Sequence, residues 1–255
     1  MSGHSKWSTI KRKKGAEDAK RAKIFTRLGR DIMVAARENG GDENANPKLK
    51  LAIAKGRAAN MPKENIERAI KKGTGEIAGG DVVEMLYEGY GPEGVAYIVE
   101  ILTDNKNRAL AEVKHAFSKY AGSLATNGAV MWQFDQKGYI TLKGEVDFDD
   151  AFLEAAEAGA DDVVDEDGLV TVYTSREAFA AVEQAMTAAG YEFDECELRW
   201  FPQNEVAVPK GKALQNMRLI EQLEEADDVQ TVASNLNITD ELLAEYGSYH
   251  AHARH

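Results

Sequence analysis

Few of the residues able to do chemistry stand at the spacing chemistry needs. His115 lies alone in a helical pattern, three residues before Ser118, and His4 sits near the start of the chain. His250, His252 and His255 follow an H-x-H-x-x-H spacing open to stray divalent metal, but a disordered tail is the plainer reading. The single cysteine, Cys196, has no CxxC partner and reads as a small buried hydrophobe. The acidic run DDVVDEDG (Asp161–Gly168) fails as a calcium loop. With Gly168 as the turn glycine, the first ligand would be Val163 and the last Thr174. It reads instead as a polar turn between a helix and a strand. Neither GTG at 73–75 nor YGPEG at 90–94 continues into the lysine of a phosphate-binding loop. No convergent acid, base and nucleophile emerge, so an enzyme, a metal and a cofactor are not expected.

The residues that do cluster are cations. The opening MSGHSKWSTIKRKK carries Lys6, Lys11, Arg12, Lys13 and Lys14, no acid, and Trp7. Lysine and arginine gain affinity for phosphate by releasing its condensed counterions. Trp7 either stacks on an unpaired base or anchors the arm against the helices that follow. A second group is Lys63, Arg68, Lys71 and Lys72. A third is TDNKNRA, where Lys106 and Arg108 stand near a helix N-terminus whose free N–H groups also favour anions. Asp104 or Asn105 capping that helix explains the same stretch, and both roles are compatible.

Charge is spread unevenly. Residues 1–75 hold 19 basic and 8 acidic residues, a net +11, while the whole chain is at -12 and the remainder therefore at -23. Such asymmetry suits an end that meets a polyanion and a body repelled by it; a solvated basic bundle on an acidic protein is the plainer reading. No helix-turn-helix, zinc-finger or RRM signature is present. The cations therefore suit backbone and shape recognition, of structured RNA as well as duplex DNA. No apolar run reaches the roughly 18 residues of a membrane span, and no secretory signal precedes the body. A cytoplasmic protein without membrane partners is expected.

The elements that position these residues follow from periodicity. Residues 1–14 have none and read as an arm. Ile24, Leu28 and Ile32 recur at helical spacing until Gly40–Gly41, Pro47 opens a second helix, and Ile66, Ala69 and Ile70 line a third that Gly73 closes. After a glycine-rich linker the period changes. VVEMLYEGYGPEGVAYIVEILT reads as two strands, NKNRALAEVKHAFSKYAG as a helix, and AVMWQF as a strand. Residues 135–205 read as an inserted βαβαβ, and a final helix and strand within 206–240 complete a discontinuous middle domain spanning 80–134 and 206–240. Residues 241–255 are expected to fray. The domains expected are thus 1–75, the discontinuous middle domain, the insertion and the tail.

GHSKWSTIKRKK, NMPKENIERAIKKGTGE, YEGYGPEGVAYIVEILTDNKNR and FPQNEV together resemble the YebC/PmpR family, in order from Gly3 to about Ile238. The resemblance implies an α+β protein: an N-terminal three-helix domain, then two small α/β domains, one inserted in the other, around a cleft. It also implies a cytoplasmic DNA-binding transcriptional regulator, while relatives including a mitochondrial one act in translation on the ribosome. The nucleic-acid-binding residues expected are Lys6, Trp7, Lys11, Arg12, Lys13, Lys14, Lys63, Arg68, Lys71, Lys72, Lys106 and Arg108. A ribosome-associated translation factor, and a protein-interaction scaffold using the cleft, are the alternatives; a monomer is the expected state. Ala109, Ala121 and Ala129 stand where the family usually carries threonine, glycine and serine. Each swap is small and removes no charge.

Overall fold

The computed structural model describes residues 18–78, 82–166 and 168–252. Its helical period yields α1 (Asp18–Asn39), α2 (Pro47–Ala58) and α3 (Lys63–Gly73). Gly40, at φ +88°, ends α1 in a conformation that other residues resist. Asn46 then starts α2. Its side-chain oxygen accepts from the Leu49 amide at 3.0 Å, while its NH2 donates to the Ala35 and Gly40 carbonyls, each at 2.8 Å. One buried amide thus ties the end of α1 to the start of α2. Ile32, Ala36, Leu49, Ile53 and Ile66 close the bundle core.

The chain divides into two compact units: Met1–Met131 with Glu205–His255, and Trp132–Asn204. In the first unit, β1 (Val83–Tyr90) and β2 (Ala96–Thr103) pair antiparallel from Val83↔Thr103 to Tyr90↔Ala96. α4 (Lys106–Lys119), the short β3 (Ser123–Leu124), α7 (Lys210–Glu224) and β8 (Val229–Ser234) complete a sheet of order β3-β1-β2-β8. Tyr97, Val99 and Ile101 alternate onto one face of β2 and pack with Val113 and Phe117 of α4 and Met217 and Ile220 of α7. The Gly-Pro turn is built against α7. A Cβ on Gly91 would fall 2.3 Å from Asn216 Oδ1, and the buried Asn216 accepts from the Tyr97 hydroxyl and donates to the Pro92 carbonyl.

The second unit is β4 (Phe134–Leu142), α5 (Phe148–Glu157), β5 (Asp162–Glu166), β6 (Leu169–Ser175), α6 (Phe179–Ala188) and β7 (Phe193–Pro202), with sheet order β5-β6-β4-β7. The α+β architecture matches the expected fold class, with a three-helix N-terminal region followed by two sheet-containing parts.

Three elements differ from the sequence reading. The acidic run is β5, an edge strand paired with β6, because Val163 supplies a buried contact while Asp162 and Asp165 face water. The insertion is therefore βαββαβ. AVMWQF is not a strand: Met131–Gln133 form a 3₁₀ turn and β4 begins at Phe134. The tail expected to fray is α8 (Asp240–His252). It stays because Leu243 and Tyr246, three apart on one face, are buried in the first unit's core.

Candidate nucleic-acid interface

Lys6, Trp7, Lys11, Arg12, Lys13 and Lys14 lie outside the described residues. The remaining predicted cations fall on two elements of the first unit.

On α3, burial of Ile66 and Ala69 turns the opposite face to water. That face carries two rows at i, i+4 spacing: Lys63–Glu67–Lys71 and Glu64–Arg68–Lys72. Lys63 Nζ stands 3.7 Å from Glu67, and both side chains are largely exposed, so the pair is weak. Arg68, Lys71 and Lys72 are exposed and pair with no carboxylate among the described residues. Gly73 fixes how they are presented. A Cβ there would meet the Met33 carbonyl oxygen at 2.3 Å, so α3 ends in close contact with the backbone of α1. The Asn60–Pro62 break is also firm: Asn60 takes φ +60° and Met61 is buried. Lys50 of α2, exposed and likewise without a carboxylate among the described residues, was missed by sequence reasoning. The alternation Lys48, Lys50 was its signal, although Lys48 is held by Glu38 at 2.7 Å.

The TDNKNR turn is a helix start. Thr103 Oγ1 accepts from the Asn105 amide at 2.9 Å, and Asn105 Oδ1 caps α4 by accepting from the Arg108 amide at 3.0 Å. Lys106 is exposed, with no carboxylate partner among the described residues. Arg108 is placed differently. Its Nε and Nη2 donate to both oxygens of Asp228 at 2.9 and 2.8 Å, and Nη2 also reaches Asp104 at 2.8 Å. Hydrogen bonds to Asp228 and then Asp104 raise the Arg108 pKa, and the bond from Arg108 lowers that of Asp104.

Asp228 is only 1% exposed and also receives Arg30 Nη2 at 2.8 Å. Arg30 Nη1 donates to the Asp227 carbonyl at 2.7 Å, and Arg27 donates to the carbonyls of Glu224 and Ala226. Arg108 is thus part of a joint that ties α1 to the α7–β8 turn and the start of α4. Sequence reasoning found Arg108 but not this role. Arg30 and Asp227 are 197 residues apart, and no local pattern links them.

A second buried carboxylate shapes the loop before β4. Glu88 of β1 accepts from the amides of Gly128, Val130 (2.7 Å) and Met131 (2.9 Å). Burial raises its pKa, but the three N–H bonds outweigh burial and hold it below the usual carboxylate range. Its oxygens are committed to backbone donors, which leaves it a clamp rather than a general base. Just beyond the clamped loop, Trp132 is 70% exposed. Cys196 is buried on β7 opposite Ile140, and His115 is exposed on α4. Among the described residues, no group of three or more His, Cys, Asp or Glu could hold a metal ion, and no helix is long and apolar enough to cross a membrane.

Residues 5–76 match the N-terminal domain of TACO1/YebC proteins, and residues 82–236 match the second and third domains of the same proteins. The chain belongs to the TACO1/YebC family. A family relative from Geobacter sulfurreducens, named a probable transcriptional regulatory protein, is 52% identical over 242 residues, covering 94% of this chain and 98% of its own. Another of that name from Fusobacterium nucleatum is 49% identical over 247 residues, covering 96% and 99%. In structure, the TACO1/YebC chain resembles a conserved hypothetical protein of Aquifex aeolicus at a TM-score of 0.80 and 41% identity, over 89% of this chain and 94% of that one.

Proposed function

We propose that this protein is a non-enzymatic, cytoplasmic regulator of gene expression that binds nucleic acid, and that it acts on DNA as a transcriptional regulator. The observation that carries the reading is the α3 face. Arg68, Lys71 and Lys72 stand exposed without carboxylate partners among the described residues, on a helix pressed against α1 at Gly73. Cations left uncompensated in this way favour a phosphate backbone. The interface combines them with Lys63, with Lys106 at the capped start of α4, and with Lys6, Trp7, Lys11, Arg12, Lys13 and Lys14. Arg108 serves as a positioning residue that holds this helix start to α1. The Geobacter and Fusobacterium relatives, named probable transcriptional regulatory proteins, support the transcriptional reading.

The full chain should retard a promoter fragment against an excess of competitor DNA at physiological salt. Equal affinity for every sequence would overturn the transcriptional reading. A ribosome-associated translation factor is then favoured by one observation. The unit Trp132–Asn204 holds 18 acidic and 4 basic residues, a net -14, which restricts polyanion contact to the other end of the chain. Co-sedimentation of the full chain with ribosomal particles in a lysate gradient, lost on deleting residues 1–14, distinguishes that case.

A further inference from the structure

α5 carries its larger apolar side chains on the outside. The residues it buries are Ala151 and Ala155, whereas Phe152 is 43% and Leu153 59% exposed. Phe148, one turn before Phe152, continues the ridge, with ring centroids 6.1 Å apart. Single exposed apolar side chains are ordinary, but adjoining ones on one helix face mark a contact surface.

On the other side of Leu153 the same helix turns acidic. Asp150, Glu154 and Glu157 recur at helical spacing, and with Leu153, Ala189 and Tyr191 they line a cavity of about 310 Å³. None of the three carboxylates pairs with a cation among the described residues. Burial, and then the charges of Asp150, Glu154 and Asp147, raise the Tyr191 pKa, in keeping with a negative local field. The rest of the unit does not relieve that field. Of its four cations, Lys143 is held by Glu192 and Arg199 by Glu195 and Glu197.

Charge complementarity therefore selects what covers this face. A nucleic acid, or a second copy of a unit at -14, would bring like charge to it. A fitting occupant brings cations and an apolar row together. We infer that α5 and the adjoining groove dock a cationic amphipathic segment of a partner protein, its apolar row against Phe152 and Leu153 and its lysine or arginine side chains against Asp150, Glu154 and Glu157. Every residue of this site lies within the unit Trp132–Asn204. The inference goes beyond the function proposed above and does not rest on it.

The test uses the full chain and a defined probe, a fluorescent amphipathic helical peptide of leucine and lysine, at physiological salt. Two control peptides carry glutamate in place of lysine or serine in place of leucine. Saturable binding of the first peptide is expected, with amide NMR shifts at Phe152, Leu153 and Tyr191. Leu153→Ser, and separately Glu154→Lys with Glu157→Lys, should each weaken it by about tenfold or more. Reversing two exposed acids off α5, Asp162→Lys with Glu177→Lys, should cost less than about threefold. Unchanged thermal midpoints show that the variants keep the fold. Absence of saturable binding, equal binding of either control peptide, or equal losses from the two charge reversals overturns the inference. So does a dimer in sedimentation equilibrium that Leu153→Ser dissociates, or an α5 spectrum that shifts with a single-stranded oligonucleotide and not with the peptide.

Discussion

Glu88 illustrates what a buried carboxylate can do without catalysis. It accepts three backbone amides from the stretch that runs into the 3₁₀ turn at Met131–Gln133, and those bonds are charge-assisted. Glu88→Gln keeps the shape but removes the charge and aims an NH2 donor at amide donors. The expected cost is about 2–3 kcal/mol in urea unfolding near neutral pH. The pH dependence has a definite sign. The carboxyl pKa is lower folded than unfolded, so its stabilisation is complete above the unfolded value and is lost as pH falls through the folded one. The gap between wild type and variant should narrow as the solution is acidified below the usual carboxylate range. A constant gap across that range would show that the charge is not what holds the loop.

Gly73 is where element and packing meet. On helix propensity alone, Gly73→Ala should stabilise α3 by up to about 1 kcal/mol. The structure reverses the sign, because the new Cβ would lie 2.3 Å from a backbone oxygen and 2.8 Å from the Ala36 Cβ. Overpacking of this kind costs about 1–3 kcal/mol, so the variant should unfold at lower urea. The helix-closing role of this glycine was legible in the sequence; the close approach was not, because it depends on α1, some forty residues earlier. The same contrast runs through the chain. The helical periods of α1, α2 and α3 announce themselves because each repeats over three turns or more. β5 was hidden because only Val163 and Val164 break an acidic run, too short an alternation to outweigh its charge. Trp132 was hidden for the opposite reason: an apolar run imitated a strand, yet the amides of Val130 and Met131 turn toward Glu88 instead of a ladder partner. At the candidate site, the cations themselves were legible, whereas which of them were already engaged depended on Asp228, in another part of the chain.

Over the whole molecule, charge is divided between a basic end and a second unit at -14, so counting cations overstates how many can meet phosphate. The structure separates two kinds. Arg68, Lys71 and Lys72 have no carboxylate partner among the described residues, while Arg30 and Arg108 share the buried Asp228. Each cation that truly neutralises a phosphate contributes about -0.9 to the slope of log K against log salt on duplex DNA. Replacing Arg68, Lys71 and Lys72 together by alanine should therefore make the slope shallower by about 2.7. Exposed substitutions on one helix face should leave stability within about 0.5 kcal/mol per site. Arg108→Ala should behave in the opposite way. It leaves the nearly buried Asp228 with Arg30 as its remaining guanidinium partner among the described residues, so stability falls while the salt slope changes by less than one contact. If Arg108→Ala removes a full contact's slope at unchanged stability, Asp228 is a weak competitor and Arg108 belongs to the interface. If the triple variant leaves the slope intact, α3 is a solvated basic face, and the binding rests on the arm.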